Sequence, residues 1–339
     1  MTTSLVIGAN GFLGSHVTRQ LVDSGADVRV MVREGAKTTG IDDLDVQRFY
    51  GDLFDTETLR EAMTGCDVVY YCVVDTRAWL RDPAPLFRTN VEGTRNVLEV
   101  AKTMPLKRFV FTSSYVTVGR RRGYVATEKD TFRWRRSDGP YALSRLQAEE
   151  LVLSYAREHG VPAVAMCVST TYGGRDWNMT PQGAMVAGAA FGKMPFVMKG
   201  IRLEAVGVDD AARALILAAE RGRSGERYII SERMVTNAEM IRIAADEAGV
   251  PMPKRTVSLP VLYGMALLGS VKARLRNTQE QLTLRSLSLM RAEAEVDHGK
   301  AVRELGWQPR PVEESIREAA RFWADMRAAM KKAKATQAD

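Results

Sequence analysis

The sequence predicts an α/β protein, a doubly wound parallel sheet followed by a smaller C-terminal lobe. Three observations carry this reading. Short apolar runs alternate with helical patterns through the first 168 residues. The first run leads directly into a glycine-rich turn, Gly8-Ala-Asn-Gly-Phe-Leu-Gly14. After residue 168 the alternation stops, and turn-rich and apolar helical stretches replace it. Buried strand runs separated by helices require a parallel sheet, and right-handed crossovers then put helices on both faces.

The elements follow in order. LVIG (5–8) is a strand, and a helix is expected from about Phe12 to Ser24. DVRVMV (27–32) and VQRFY (46–50) are strands, followed by a short helix at 56–63. DVVYYCV (67–73) precedes one long helix over about 84–104. RFVFTSS (108–114), a helix over 140–159 and AVAMCV (163–168) complete the series. TTYGGRDWNMTPQG (170–183) reads as a long loop. VGVDD (206–210) opens a helix, and ERYIIS (226–231) is a short strand. A helix over 236–248 starts at Thr236 with Glu239 three residues later, the spacing of a capping box. LPVLYGMALLGSV (259–271) is apolar but too short to span a bilayer. A packed helix of the lobe is the preferred reading there, ahead of membrane-surface contact. VEESIREAARFWADM (312–326) closes the chain as an amphipathic helix, with a basic tail at 331–339 that frays. The domain division is 1–168 for the sheet domain, with 201–220 returning to it, and 169–330 for the lobe.

With 339 residues and 45% hydrophobic content, the chain can bury a large core. Cys66, Cys72 and Cys167 form neither a disulfide framework nor a metal spacing. Together with an N-terminus that lacks a signal-peptide pattern, they suggest a cytoplasmic protein. The net charge of +7 is locally concentrated: Arg120, Arg121, Arg122, Lys129, Arg133, Arg135 and Arg136 crowd one segment. No reading motif accompanies that charge, so nucleic-acid binding is set aside. A solvated basic face is the plain reading, and steering of an anionic substrate is the alternative.

The glycine turn carries the first chemistry. Between a strand and a helix, glycines at 8, 11 and 14 permit a tight turn and close approach to a pyrophosphate, whose charge then meets the helix N-terminus. Gly8, Asn10, Gly11, Phe12, Leu13 and Gly14 are the expected contact set. The end of the second strand should read the adenine ribose. It carries Arg33, with Lys37 nearby, which suits a 2′-phosphate and favours NADP(H), with NAD(H) possible. Asp52, followed by Leu53, is placed to accept from the adenine amino group, a helix-cap role being its alternative.

Ser114 ends a strand at the carboxyl edge of the sheet, where α/β ligands bind. Tyr141 and Arg145, four residues apart, share a helix face. Serine, tyrosine and cation together would make a site for carbonyl reduction. The tyrosine gives or takes the proton, the serine bonds the same oxygen, and a nearby cation favours the phenolate.

These residues resemble the extended short-chain dehydrogenase/reductase superfamily. GANGFLG, GDL (51–53), NVEGTRNVLEVA (90–101), FTSS (111–114), PYALSRLQAEE (140–150) and VGVDDAARA (206–214) carry the likeness, in the right order over nearly the whole chain. Within it the chain looks like the dihydroflavonol 4-reductase-like and hopanoid-associated sugar epimerase-like branch. The resemblance implies a Rossmann-type fold, NAD(P) binding and a Ser/Tyr/Lys catalytic set mapped onto Ser114 and Tyr141. It implies that Val168, Ser169 and Thr170 lie beside the nicotinamide, that Cys72 and Val73 line the cofactor, and that Asn90 is structural. Arg145 departs from the family lysine: it keeps the charge but cannot release a proton. Cys72 and Cys167 read as inert thiols.

Three functions are weighed. The first is an NADP(H)-dependent oxidoreductase for an apolar secondary alcohol or ketone. The second is a sugar epimerase or dehydratase, disfavoured because TSSYVT (112–117) has no carboxylate. The third is a cofactor-binding protein with little catalysis. A small-molecule substrate and a monomer or homodimer are expected.

Overall fold

The computed structural model describes residues 2–119, 123–133, 135, 138–276, 282–289 and 295–336. The first half winds as β1 (Thr3–Ile7), α1 (Phe12–Asp23), β2 (Asp27–Val32), β3 (Gln47–Tyr50), α2 (Thr56–Met63) and β4 (Val68–Tyr71). α3 (Ala84–Phe87), a π-helical turn (Arg88–Gly93), α4 (Thr94–Ala101), β5 (Arg108–Ser114) and a 3₁₀ turn (Tyr115–Thr117) follow. β6 (Val125–Ala126), α5 (Gly139–Glu158) and β7 (Ala163–Val168) complete this half. The single long helix expected over 84–104 is therefore interrupted. Thr94 Oγ1 donates to the Asn90 carbonyl at 2.8 Å and the turn widens, which aims Asn90 inward with no exposed surface.

The second half contains β8 (Thr170–Tyr172), α6 (Pro181–Ala190), β9 (Val197–Met198), β10 (Arg202–Gly207), α7 (Val208–Arg221), β11 (Arg227–Ile230) and β12 (Arg233–Thr236). Then come α8 (Asn237–Glu247), β13 (Thr256–Val257), α9 (Leu259–Arg276), α10 (Leu284–Leu289), β14 (Glu295–Val296), α11 (Gly299–Leu305) and α12 (Val312–Thr336). The stretch 170–183 is not all loop. It starts with β8, which pairs with β10, and ends in α6, capped by Thr180 accepting from Gly183 N. α12 also continues past Met326 to Thr336, because the run after it is rich in Ala and Lys, strong helix formers.

Seven strands form one parallel sheet in the order β11-β7-β5-β4-β1-β2-β3. The order reverses between β1 and β4, and that crevice at the carboxyl edge is where such sheets bind ligands. Alternation along β1 fills two cores. Val6 packs with Val17, Val30 and Leu215 on one face, and Leu5 and Ile7 with Tyr71, Phe109 and Val152 on the other. α7 and β11 return to this sheet after β10 has joined the smaller β12-β10-β8 sheet. A third core joins α6, α8 and α12 through Val186, Ile241, Ile316 and Trp323. Among the described residues no helix is long and apolar enough to cross a membrane.

Candidate active site

Gly8 follows β1 with φ +85°, a conformation that other residues reach only with strain. A Cβ there would lie 2.8 Å from Val73 Cγ2 and 3.1 Å from Val73 N. The exit of β4, Cys72–Val73, therefore closes directly on the turn. A Cβ on Gly14 would lie 2.2 Å from the Gly8 carbonyl oxygen, so the helix meets the strand only through glycine. Gly11 caps α1 without a side-chain bond, and the first turn holds no acidic residue. The helix thus offers unshielded N–H groups and its positive end. Phe12 is buried edge-on to His16 at 5.4 Å, and Leu13 packs on the core.

Arg33 and Lys37 are both exposed beyond β2. Lys37 Nζ donates to the Trp177 carbonyl at 2.6 Å. Asp52 Oδ1 accepts from Phe54 N at 2.7 Å in an exposed turn; the cap of α2 is Asp55, which accepts from Thr58 N at 3.1 Å. Leu53 is buried, and only a glycine at 93 leaves it room. Burial alone would raise the Asp75 carboxyl, but the Arg77 fork and the charge of Arg33 hold it below the usual range.

Ser114, Tyr141 and Arg145 each lie around the carboxyl end of β5. Tyr141, half-buried near the start of α5, packs on Tyr115 and Val116, the two residues after Ser114. Ser114 Oγ accepts from Val116 N at 3.4 Å. One turn along α5, Arg145 is 1% exposed. Its Nη2 donates to the Thr112 carbonyl, and its guanidinium sits 5.1 Å from the Phe111 ring centre. Its Nε and Nη1 are buried without a hydrogen-bond partner. Ser114 is in register with Val168, which places Val168, Ser169 and Thr170 alongside. Ser169 Oγ is likewise buried and unpartnered. Asn90 ties the loop after β4 to α5, accepting from Asp75 N at 2.8 Å and donating to Ser144 Oγ at 3.1 Å.

Two features escaped the sequence reading. Glu149, one turn beyond Arg145, is buried and accepts from Ser113 Oγ, from Thr117 Oγ1 at 2.7 Å and from Cys167 Sγ at 3.3 Å. Its ion-pair partner is Arg227 of β11, at 2.9 Å. The second is a strap over the glycine turn. Asn178 Nδ2 donates to the Asn10 carbonyl at 2.6 Å, and His16 bridges Asp209 (2.6 Å) and the Gly174 carbonyl (3.2 Å). Arg175 and Met179 hold φ of 59° and 50° within it. The only sequence signal was the density of turn residues in 170–183. The cysteines are buried, and burial pushes the Cys72 thiol up to about 12, so it is no nucleophile at neutral pH. Arg120, Arg121, Arg122 and Arg136 lie outside the described residues. No grouping of three or more potential metal ligands occurs among the described residues.

Residues 4–231 match the model of the NAD dependent epimerase/dehydratase family. A ketoreductase of Stigmatella aurantiaca, acting on 4-hydroxy-2-methyl-3-oxo-4-farnesyl-3,4-dihydroquinoline-1-oxide by its name, is 28% identical, covering 91% of this chain and 92% of that one. The dihydroflavonol 4-reductase of Zea mays is 29% identical over 74% of this chain and 76% of its own length. The crystal structure of gox2253 superimposes with a TM-score of 0.83 at 33% identity, covering 96% of this chain and 99% of that one.

Proposed function

Because the chain belongs to the NAD dependent epimerase/dehydratase family, we propose that it is an NADP(H)-dependent reductase or dehydrogenase of an apolar secondary alcohol or ketone. The observation that carries the reading is the gathering of Ser114, Tyr141 and Arg145 around the carboxyl end of β5, in the same parallel sheet whose β1 leads into the Gly8–Gly14 turn.

The residues present fit a nicotinamide dinucleotide. The uncapped start of α1 suits its pyrophosphate. Nε and Nη1 of Arg145 are donors with nothing to bond inside the protein, which suits ribose hydroxyls. Val168, Ser169 and Thr170 would flank the nicotinamide, with Cys72 and Val73 on the β4 side. Arg33, with Lys37 behind it, would meet a 2′-phosphate, and Asp52 the adenine edge. When bound, the nicotinamide supplies or takes up the hydride.

Tyr141 hands its phenolic proton to the carbonyl oxygen in reduction and recovers one in oxidation. Ser114 donates to the same oxygen and holds it at the tyrosine. Arg145 lies one turn along α5 from Tyr141, and as an arginine it cannot relay the proton as a lysine could. The proton that restores Tyr141 therefore does not pass through the side chain at 145. Dehydration would call for a carboxylate beside Tyr141, and the buried Glu149 is committed to Arg227, Ser113 and Thr117.

NADPH consumption over a panel of apolar ketones tests the reading. Tyr141→Phe should lose about a hundred- to ten-thousandfold in kcat while cofactor affinity holds. Wild-type turnover in Tyr141→Phe would remove the catalytic assignment. Cofactor binding without turnover across the panel would favour the non-catalytic reading.

A further inference from the structure

Helix α9 is apolar on two opposite sides. Leu262 and Ala266 are fully buried against Met198, Ile201 and Leu287. The far side carries Val261, Leu267, Leu268 and Val271, which are 53%, 51%, 71% and 45% exposed. At 3.6 residues per turn these four fall within an arc of about 120° centred opposite the buried pair. A helix on a protein surface ordinarily turns polar residues outward there. The sequence flanking it carries one sign of charge. From Glu247 to Glu280 the chain has no other acidic residue, and it carries Lys254, Arg255, Lys272, Arg274 and Arg276. Lys254, Arg255 and Lys272 are exposed.

We propose that α9 seats the protein on an anionic lipid surface, with its outer apolar face at the headgroup boundary and the flanking cations on lipid phosphates. The combination selects this occupant. A second copy of the chain could cover the apolar face, but only by facing one cationic collar with another. A polyanion such as nucleic acid would answer the charge and leave Leu267, Leu268 and Val271 in water. An interfacial helix satisfies both requirements. The helix lies on the bilayer rather than through it, as no described helix can span. Its inner face rests on the lobe, so docking would bring the lobe to the membrane, where apolar carbonyl compounds partition. The inference does not depend on the reductase reading, because docking is measured without turnover.

The test is flotation of the full chain with vesicles of phosphatidylcholine alone, or of equal parts phosphatidylcholine and phosphatidylglycerol. Binding should strongly favour the anionic vesicles and weaken as salt rises. Leu268→Glu with Val271→Glu should reduce anionic-vesicle binding about tenfold or more. Lys254→Gln with Arg255→Gln should reduce it about thirtyfold without touching the apolar face. All four positions are exposed, and unchanged circular dichroism will confirm the fold. Absence of binding to anionic vesicles, or wild-type binding by both variants, overturns the proposal. So does a concentration-dependent dimer in sedimentation velocity that Leu268→Glu with Val271→Glu dissolves, since a second copy would then own the face.

Discussion

Arg145→Met separates what the arginine does for the fold from what it does for a ligand. In the folded chain the guanidinium is desolvated, and a buried ion costs several kcal/mol, on the order of 3–5 after relaxation. Against this stand one charge-assisted bond to the Thr112 carbonyl, worth about 1.5–3 kcal/mol, and the Phe111 ring, worth about 0.5–2 kcal/mol. The two sides nearly cancel. Methionine has similar length and no charge, so the ligand-free protein should change stability by less than about 2 kcal/mol in either direction. An arginine engaged in a buried ion pair would behave otherwise, because removing it strands the partner at a cost of about 3–5 kcal/mol.

The ligand-bound balance differs. If the two unpartnered donors, Nε and Nη1, bond ribose hydroxyls, their loss should cost at least about 3 kcal/mol, or roughly a hundredfold in cofactor affinity. At a cofactor concentration about 100-fold above the wild-type Kd, binding stabilises the wild type by about 2.7 kcal/mol and the variant by only about 0.4. For a chain of 339 residues the difference is about 3 °C in Tm. The assay is thermal unfolding of wild type, Arg145→Met and Arg145→Lys, each with and without NADPH. Arg145→Lys should keep most of the cofactor-induced rise. If Arg145→Met melts far below wild type without cofactor and keeps the full rise with it, the reasoning from the unpartnered donors fails and the arginine is a structural strut.

Three further outcomes follow from the same geometry. Arg33→Ala should weaken NADP(H) binding about ten- to a hundredfold and leave NAD(H) binding unchanged in calorimetry; an equal loss for both would remove the 2′-phosphate assignment. Burial lifts the Glu204 carboxyl above its usual range, although it accepts from Ser231 Oγ at 2.6 Å and Val296 N at 3.1 Å. The unfolded chain therefore ionises first, near about 4.3, and this stability contribution is lost as pH rises through the folded value. Glu204→Gln should accordingly gain more in Tm over wild type at about pH 8 than at about pH 4. Arg227→Met should destabilise the chain by about 3 kcal/mol in denaturant titration, because it strands the Glu149 charge; a loss below about 1 kcal/mol would mean that the hydroxyls of Ser113 and Thr117 suffice.

Much of the sheet domain was legible because its central strands are buried on both faces and read as largely apolar runs. The strands 27–32, 108–114 and 163–168 begin and end where the composition changes. The widened turn at 88–93 was not legible, because it depends on one side chain, Asn90, finding Asp75 across a loop. The strap at 173–180 was hidden for a similar reason: its bonds reach Asn10, His16 and Lys37, more than a hundred residues away. Periodicity reports which face of an element is apolar and not what covers it. The helix over 259–276 shows this, since packing occupies only one of its two apolar sides.

The spacing of α5 poses the sharpest question about the site. Tyr141, Arg145 and Glu149 recur every four residues, and on an isolated helix Arg145 and Glu149 would be expected to pair. They do not. Glu149 is turned towards β11, where Arg227 and the hydroxyls of Ser113 and Thr117 satisfy it. Arg145 is turned towards β5 and keeps two donors unspent. Had the helical pair formed, the carboxylate would have neutralised the cation beside Tyr141 and taken the donors that the ribose reading requires. By holding Glu149, Arg227 on β11 keeps that carboxylate from pairing with Arg145, one turn from Tyr141. A lysine at 145 could be left equally free, but it would carry three donors on one atom. The arginine fixes its N–H groups in a plane, with Nη2 anchored on Thr112, so those of Nε and Nη1 have set directions. On the proposed reading, fixed direction suits a rigid ribose and forgoes the proton relay, which leaves the acid–base work to Tyr141 and Ser114.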